Sequence, residues 1–216
     1  MRFAAGDVEL SGDLNLPSRA SGLVLFAHGS GSSRHSPRNR AVAASLNDAG
    51  LGTLLLDLLT EEEEQAERYT RHLRFDIALL ARRLAEVRHG LPRELADLPV
   101  GYFGASTGAA AALLAAAFRP QGVAAVVSRG GRPDLAGEML GEVLAPTLLI
   151  VGSLDEVVEE LNRDAFQQLR VEKELAIVRG ATHLFEEPGT LEEVSRLAAE
   201  WFLRFLQAGA VERLSY

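Results

Sequence analysis

Short apolar runs alternate along this chain with longer segments whose apolar residues recur at helical spacing. Residues 8–17 alternate apolar and polar side chains, which predicts a half-buried antiparallel strand. Continuous apolar runs predict further strands, and amphipathic segments predict the helices between them. The predicted strands are 22–29, 52–59, 98–104, 122–128, 145–152 and 173–180, and the predicted helices are 37–50, 74–90, 106–118, 155–169 and 189–207.

This order of elements predicts an α/β fold. Strand–helix units that repeat with short turns form a doubly wound, mainly parallel sheet with helices on both faces. The alternating segment 8–17 adds an antiparallel N-terminal edge. The 216 residues contain no internal repeat and no linker, so we predict one domain over 1–216. Ligands in such sheets bind outside the carboxyl ends of the strands, and polar residues just after strands are therefore the candidates for function.

Composition narrows the class of function. The formal net charge of −8 and the sequence pI near 5.2 argue against nucleic-acid binding. The absence of cysteine excludes a disulfide scaffold, a thiolate zinc site and a cysteine nucleophile. No signal-peptide core and no uncharged apolar window of about 18 residues is found, which predicts a cytoplasmic protein without a membrane span. The acidic run 61–64 predicts a solvated loop or a first helical turn.

Ser106 lies between the predicted strand 98–104 and an alanine-rich helix, within the pattern G-x-S-x-G. A sharp strand-to-helix turn strains the serine backbone, and glycines two positions away on either side avoid collisions with neighbouring chain. The helix N-terminus behind Ser106 supplies free N–H groups. Two interpretations stay open at this point, because a serine at such a boundary serves either as a helix cap or as a nucleophile.

A nucleophilic serine needs a base, and the base needs a carboxylate. His183 follows the last predicted strand, in "RGATHLFEEPG", from where it could reach the carboxyl edge of the sheet, although a surface role is also open. Asp155 follows strand 145–152 and is either this carboxylate or an N-cap of the next helix. Asp57 is a rival at another strand end. The chain order Ser106, Asp155, His183 is the one typical of α/β-hydrolases.

The loop "FAHGSGSSRHSP" after the second predicted strand offers the remaining parts of an acyl-transfer site. The N–H of Thr107, directly after the serine, is the first predicted oxyanion donor, and Ser30 N–H is the second, with Gly31 as the alternative. Glycine and serine loops also cradle phosphates. However, no Lys-Ser or Lys-Thr pair follows and no G-x-G-x-x-G is present, which argues against a nucleotide site.

With these residues placed, the chain resembles the α/β-hydrolase superfamily over essentially its whole length, and in particular its small dienelactone-hydrolase-related group. The pieces that carry the resemblance are "LVLFAHGSGSS", "GYFGASTGAAAALLAA", "PTLLIVGSLDEVV" and "GATHLFEEPGTLEEV". The resemblance implies Ser106 as nucleophile, His183 as base and acid, Asp155 as orienting carboxylate and His28 as a structural residue. Dienelactone hydrolases proper use a cysteine nucleophile, so the serine indicates a generic serine esterase or related hydrolase.

We therefore expect a serine hydrolase that cleaves an ester-type bond of a small acyl substrate, without metal or cofactor, as a monomer or a homodimer. A thioesterase, a peptidase, an acyltransferase and a non-catalytic binding module of the same fold are the alternatives. Too few residues separate strands 122–128 and 145–152 for a separate cap, which predicts an open, shallow site. Its predicted rim includes Gly31, Arg34, His35 and Arg129, and the cationic members are either solvated or able to meet a carboxylate on the substrate.

Overall fold

The strands of the protein assemble into one sheet. The computed structural model describes the backbone of residues 1–212 and the side chains of residues 1–206. The strands are β1 (Arg2–Ala5), β2 (Val8–Asn15), β3 (Leu23–Ala27), β4 (Gly52–Leu56), β5 (Val100–Ala105), β6 (Val123–Arg129), β7 (Thr147–Gly152) and β8 (Lys173–Val178). They form one eight-stranded sheet in the order β1-β2-β4-β3-β5-β6-β7-β8.

The N-terminal edge of the sheet is antiparallel, as predicted. Strand β2 pairs antiparallel with both β1 and β4, and every pair from β4 to β8 is parallel. The outermost strand is β1, which the apolar pattern did not predict because it is only four residues long. It joins β2 through a two-residue turn at Gly6, whose φ of 69° favours glycine.

Helices cover both faces of this sheet. They are α1 (Pro37–Asp48), α2 (Glu61–Thr70), α3 (Ile77–His89), α4 (Arg93–Ala96), α5 (Thr107–Phe118), α6 (Glu156–Gln168) and α7 (Thr190–Glu212). Helices α1 and α7 pack on one face, and α3, α5 and α6 pack on the other. The doubly wound α/β architecture is thereby confirmed. None of the helices in the described part is long and apolar enough to cross a bilayer.

Apolar side chains fill the space on both sides of the sheet. On the α1 and α7 face, the rings of Phe26 and Phe103 lie 4.7 Å apart between their centroids, next to the buried Trp201 and Phe202. These last two residues begin the C-terminal segment 201–216, whose apolar sequence predicts packing either on the core or on a second subunit. Up to residue 206 its buried side chains join the core, and the side chains beyond lie outside the described residues.

The carboxyl ends of β3, β5, β6, β7 and β8 meet at one edge of the sheet because these strands run parallel. Between β6 and β7 the chain forms only 3-10 turns over Pro133–Glu142, with a kink at Gly137. The described residues contain no separate cap over this edge, as predicted. Of the two predictions for the acidic run 61–64, a solvated loop or a first helical turn, the second is confirmed: the run is the first turn of α2, a helix of ten residues.

Candidate active site

Ser106 lies at the sharp turn from β5 into α5. Its φ of 53° and ψ of −122° form a conformation that L-residues rarely adopt. Three backbone hydrogen bonds hold it: Ser106 N–H donates to Arg129 O at 3.2 Å, and Ser106 O accepts from the N–H groups of Ala109 and Arg132, each at 3.1 Å. The hydroxyl makes no capping hydrogen bond to the helix. The side chain is thus free for another use.

The two glycines of the G-x-S-x-G pattern allow this turn to approach its neighbours. A Cβ on Gly104 would lie 2.4 Å from Ala109 Cα, and a Cβ on Gly108 would lie 2.3 Å from Ala27 O. Both distances are far shorter than a carbon side chain tolerates, so the backbone of α5 is pressed against β5 and β3. The alanine-rich sequence extends this contact, since every residue of α5 from Thr107 to Ala117 is buried.

The structure brings Asp155 and His183 together. The Nδ1 atom of His183 lies 2.6 Å from Oδ2 of Asp155. Because a carboxylate accepts, this contact places the imidazole proton on Nδ1 and leaves the Nε2 lone pair available as a base. Asp155 occupies the N-cap position of α6 but makes no side-chain capping bond there. Its carboxylate is therefore directed to the histidine and not to the helix.

The loop that carries His183 lies beside the end of β6 and so beside the serine turn. A Cβ on Gly130 would lie 3.1 Å from His183 O and 3.6 Å from His183 Nδ1. The residue before Gly130 is Arg129, whose carbonyl accepts the N–H of Ser106. Phe185 anchors the same loop: it is buried and takes a φ of 55°, which is unusual for a bulky residue.

The loop after β3 lies on the other side of Ser106. A Cβ on Gly29 would meet Ser106 Cβ at 3.1 Å, so this glycine allows the loop to approach the serine. Ser30 N–H, one of the predicted oxyanion donors, donates to Thr107 Oγ1 at 2.8 Å in this structure. Thr107 is the first residue of α5, where an N–H has no intrahelical acceptor. The two predicted donors are thus next to each other, and a side-chain hydroxyl occupies one of them.

His28 has the structural position that the resemblance implied. Its Nε2 accepts from Leu58 N–H at 3.3 Å, and its Nδ1 lies 2.9 Å from Gly29 O. The ring therefore ties the loop after β3 to the loop after β4. The three histidines that were not assigned to the triad or to this loop tie are exposed: His35, His72 and His89.

Of the predicted rim, Arg34 forms ion pairs and His35 contacts the side chain of Arg40. Arg34 pairs with Asp57 and donates from Nε to Asp13 at 3.3 Å. Asp57, the rival carboxylate, also accepts Arg34 N–H at 2.7 Å and so serves the loop and not His183. His35 Nδ1 lies 2.8 Å from Arg40 Nη2 and 4.0 Å from Asp13. Gly31 lies in the same loop with a φ of 73°.

Two groups at this edge went unnoticed in the sequence. Glu67, in the middle of a charged segment, is completely buried and accepts hydrogen bonds from the residues after α2, including the guanidinium of Arg74. Arg38, in the first turn of α1, has a buried Nε without a partner. Neither a charged segment nor the sequence "SPRNR" at the start of α1 signals burial, because burial of a charge depends on tertiary neighbours.

Solved structures of other proteins share this architecture. A dienelactone hydrolase from Anabaena variabilis is 58% identical to this chain and superposes with a TM-score of 0.94, with 95% of this chain and 96% of that one covered. An α/β serine hydrolase without a lid from Xanthomonas campestris is 19% identical with a TM-score of 0.75, over 95% and 94% of the two chains, which shows the shared fold alone.

Curated relatives carry a different name. Two Mycobacterium tuberculosis proteins, both provisionally named phosphoribosyl transferases, are 58% identical over 208 residues, which is 95% of this chain. The match covers 46% of their length, so this chain spans about half of the curated relatives that it matches. No protein-family model matches the chain.

Proposed function

Because this chain belongs to the dienelactone-hydrolase-related group of the α/β-hydrolase superfamily, we propose that it is a serine hydrolase that cleaves an ester-type bond of a small acyl substrate. The observation that carries the proposal is the pairing of His183 with Asp155 at 2.6 Å, beside a strained Ser106 whose hydroxyl caps nothing. Neither carboxylate nor serine is used for the helix-capping role that the sequence also allowed, and both lie at the same edge of the sheet.

The proposed reaction is acyl transfer in two steps. His183 Nε2 takes the proton of Ser106 as Oγ attacks the substrate carbonyl, and the tetrahedral intermediate collapses when His183 returns that proton to the leaving alcohol. Water, deprotonated by the same imidazole, then attacks the acyl-enzyme and releases the acid and the free serine. Asp155 orients the ring and stabilises the imidazolium formed in each step.

The developing oxyanion would be held by the N–H groups of Thr107 and Ser30. The Ser30 N–H now donates to the Thr107 hydroxyl, so this hydroxyl occupies an acceptor position that the oxyanion would share or replace. Two N–H donors aimed at this position contribute a large part of the rate enhancement in acyl transfer, about 10²–10³-fold for each donor.

A fluorophosphonate probe tests the proposal without knowledge of the substrate. Incubation of the purified protein, followed by peptide mass spectrometry, is expected to give one adduct on Ser106. The adduct should be lost in Ser106→Ala and in His183→Ala, and retained in the matched control His89→Ala, since His89 is exposed on α3. Absence of an adduct on Ser106 in the wild-type protein would contradict the proposal and favour a non-catalytic binding module.

The alternative enzyme activities differ from an esterase either in the bond that is cleaved or in the molecule that accepts the acyl group. Thioester and amide substrates, and alcohols offered as acyl acceptors, separate a thioesterase, a peptidase and an acyltransferase from an esterase. The transferase name of the mycobacterial relatives belongs to proteins about twice as long as this chain.

A further inference from the structure

Arg129, at the end of β6, is a buried cation without a counter-ion. Its residue exposure is 6%, and its Nε has no hydrogen-bond partner. Its contacts are a long hydrogen bond of 3.4 Å from Nη2 to Asn39 Oδ1 and the face of the Phe185 ring, 5.7 Å from Cζ. No carboxylate of the described residues lies within ion-pairing distance of it. A buried charge is ordinarily paired, since its desolvation is otherwise uncompensated.

The environment of Arg129 lowers the pKa of its guanidinium, but not far enough to make the group neutral at physiological pH. Burial, and after it the charge of Arg38, lowers the pKa of Arg129 to about 10. At neutral pH the guanidinium therefore stays protonated.

Arg38 brings a second guanidinium to the same place. It is the neighbour of Asn39 in α1, and its own Nε is buried without a partner. Its Nη1 forms an ion pair with Glu186 at 3.1 Å, at the outer, exposed end of the side chain. Two neighbouring cations thus each carry a buried Nε–H donor without a hydrogen-bond partner, whereas buried donors are normally satisfied.

This cluster is next to the reacting groups. The backbone of Arg129 accepts the N–H of Ser106, a Cβ on the following Gly130 would lie 3.1 Å from His183 O, and Phe185 belongs to the loop of His183. By contrast, Arg34 of the predicted rim is neutralised by Asp57, and its neighbour Arg40 is neutralised by Asp13. The unpaired positive charge is thus concentrated on the side of the serine where β6 ends.

We infer that Arg129 and Arg38 form an anion subsite of the active site, which holds a carboxylate or phosphate group carried by the substrate. The inference rests on the proposed hydrolase function, because it names the class of ester that the site prefers. Guanidinium groups bind planar and tetrahedral oxyanions through paired N–H donors, and both classes offer enough oxygen atoms for the two orphaned Nε–H groups.

A panel of para-nitrophenyl esters tests the subsite. The acetate is neutral, the hydrogen succinate carries a carboxylate and the phosphonopropionate carries a phosphonate. In Arg129→Met, the ratio of kcat/KM for an anionic ester to kcat/KM for the acetate is expected to fall about 10- to 100-fold, the value of a charge-assisted hydrogen bond or pair. Arg38→Met, which removes a more exposed side chain, is expected to lower the same ratio less, since Glu186 partly neutralises it.

The matched control is Arg163→Met, which removes an exposed, ion-paired arginine on α6 and should leave the ratio unchanged. A purely structural role of Arg129 predicts a lower Tm with an unchanged ratio, and that outcome would overturn the inference. If both Arg129→Met and Arg38→Met are folded and the ratio is unchanged in both, the inference is overturned as well.

Ligand binding separates this inference from the hydrolase proposal. Inorganic phosphate or succinate is expected to raise the Tm of the wild-type protein and of Arg163→Met saturably, and not that of Arg129→Met. If no ester of the panel is hydrolysed, the rate ratio cannot be measured, and this binding measurement alone decides the subsite; the hydrolase proposal is decided separately by the fluorophosphonate adduct on Ser106. An equal rise of Tm in wild type and Arg129→Met overturns the subsite, whereas a rise that requires Arg129 supports it and shows which anion fits.

Discussion

Ser106 is held in a backbone conformation that a glycine would adopt with less strain. A non-glycine residue in such a region costs about 1–3 kcal/mol and persists only when its surroundings over-determine it. Here the hydrogen bonds to Arg129, Ala109 and Arg132 and the close approach of Gly108 to β3 provide that constraint. The fold therefore stores strain at the residue that we propose as nucleophile.

This strain predicts a stability difference between two variants that both lack the Ser106 hydroxyl. Ser106→Gly is expected to be more stable than Ser106→Ala by about 1–2 kcal/mol, since glycine relieves about 1–3 kcal/mol of strain and loses about 0.4–1 kcal/mol through its greater freedom in the unfolded chain. For a domain of this size the difference is about 2–8 °C in Tm, measurable by thermal denaturation.

A helical serine provides the control of opposite sign. Ser45 lies within α1, where Ser45→Gly should be less stable than Ser45→Ala by about 1 kcal/mol because glycine is a poor helix former. If Ser106→Gly were the less stable member of its pair too, the turn would not be strained.

The sequence could place single residues at strand ends, but it could not show the direction of their side chains, which decides between a helix cap and a catalytic role. Ser106 and Asp155 each precede a helix, and a cap and a catalytic residue occupy the same place in the sequence there. The pattern therefore located both residues at strand ends and left their use open. In the structure neither side chain makes a capping bond. The buried Nε of Arg38 had no sequence signal, since its environment is built from three separate segments.

At the scale of elements, the hydrophobic and polar pattern of the sequence was least informative for helix α2 and the turn after it. Glu67, near the end of α2, accepts hydrogen bonds from Thr70 Oγ1, from the N–H groups of His72, Leu73 and Arg74, and from Arg74 Nε, all between 2.9 and 3.1 Å. A Cβ on Gly31 would lie 3.5 Å from Arg74 Nη1. One buried carboxylate thus holds α2, the following 3-10 turn and a cation beside the loop after β3.

The Glu67 network predicts a pH-dependent contribution to stability. Burial raises the pKa of Glu67, but the hydrogen bonds from Leu73 and Arg74 outweigh it and lower this pKa from 4.5 to about 2. A carboxyl group with a depressed pKa stabilises the fold fully above its unfolded value of 4.5 and loses that contribution as the pH falls towards 2. Glu67→Gln should therefore lower Tm at neutral pH, because an amide cannot accept all these donors, and the deficit should shrink below about pH 4.5.

Thermal denaturation of wild type and Glu67→Gln from pH 8 to pH 3 measures this difference. Glu160→Gln, a change of an exposed glutamate on α6, serves as the control and should show a small difference at every pH. A Glu67→Gln deficit that stays constant down to pH 3 would show that the carboxylate charge is not what the network binds.

On the scale of the whole molecule, the order of strands and helices was the most predictable feature. Continuous apolar runs mark strands buried on both faces, and repeated strand–helix units specify a parallel sheet whatever the details of the loops. The hairpin strand β1 was not predicted because four residues carry too little periodicity. The full length of α2 was not predicted because a charged helix shows little apolar periodicity. What the pattern could not give is the pairing of charges across the edge of the sheet.

The same architecture predicts how the site responds to aggregated substrate. Since only 3-10 turns lie between β6 and β7, we expect no helix of that connection to cover Ser106. The initial rate on a para-nitrophenyl ester of medium chain length should therefore rise smoothly and saturate as the substrate passes its solubility limit. A lid-bearing lipase, assayed in parallel, should show a sharp increase at that limit. Such a jump in this protein, of about tenfold or more in excess of saturation kinetics, would mean that another segment, α2 being the nearest along the edge, covers the site and opens at an interface.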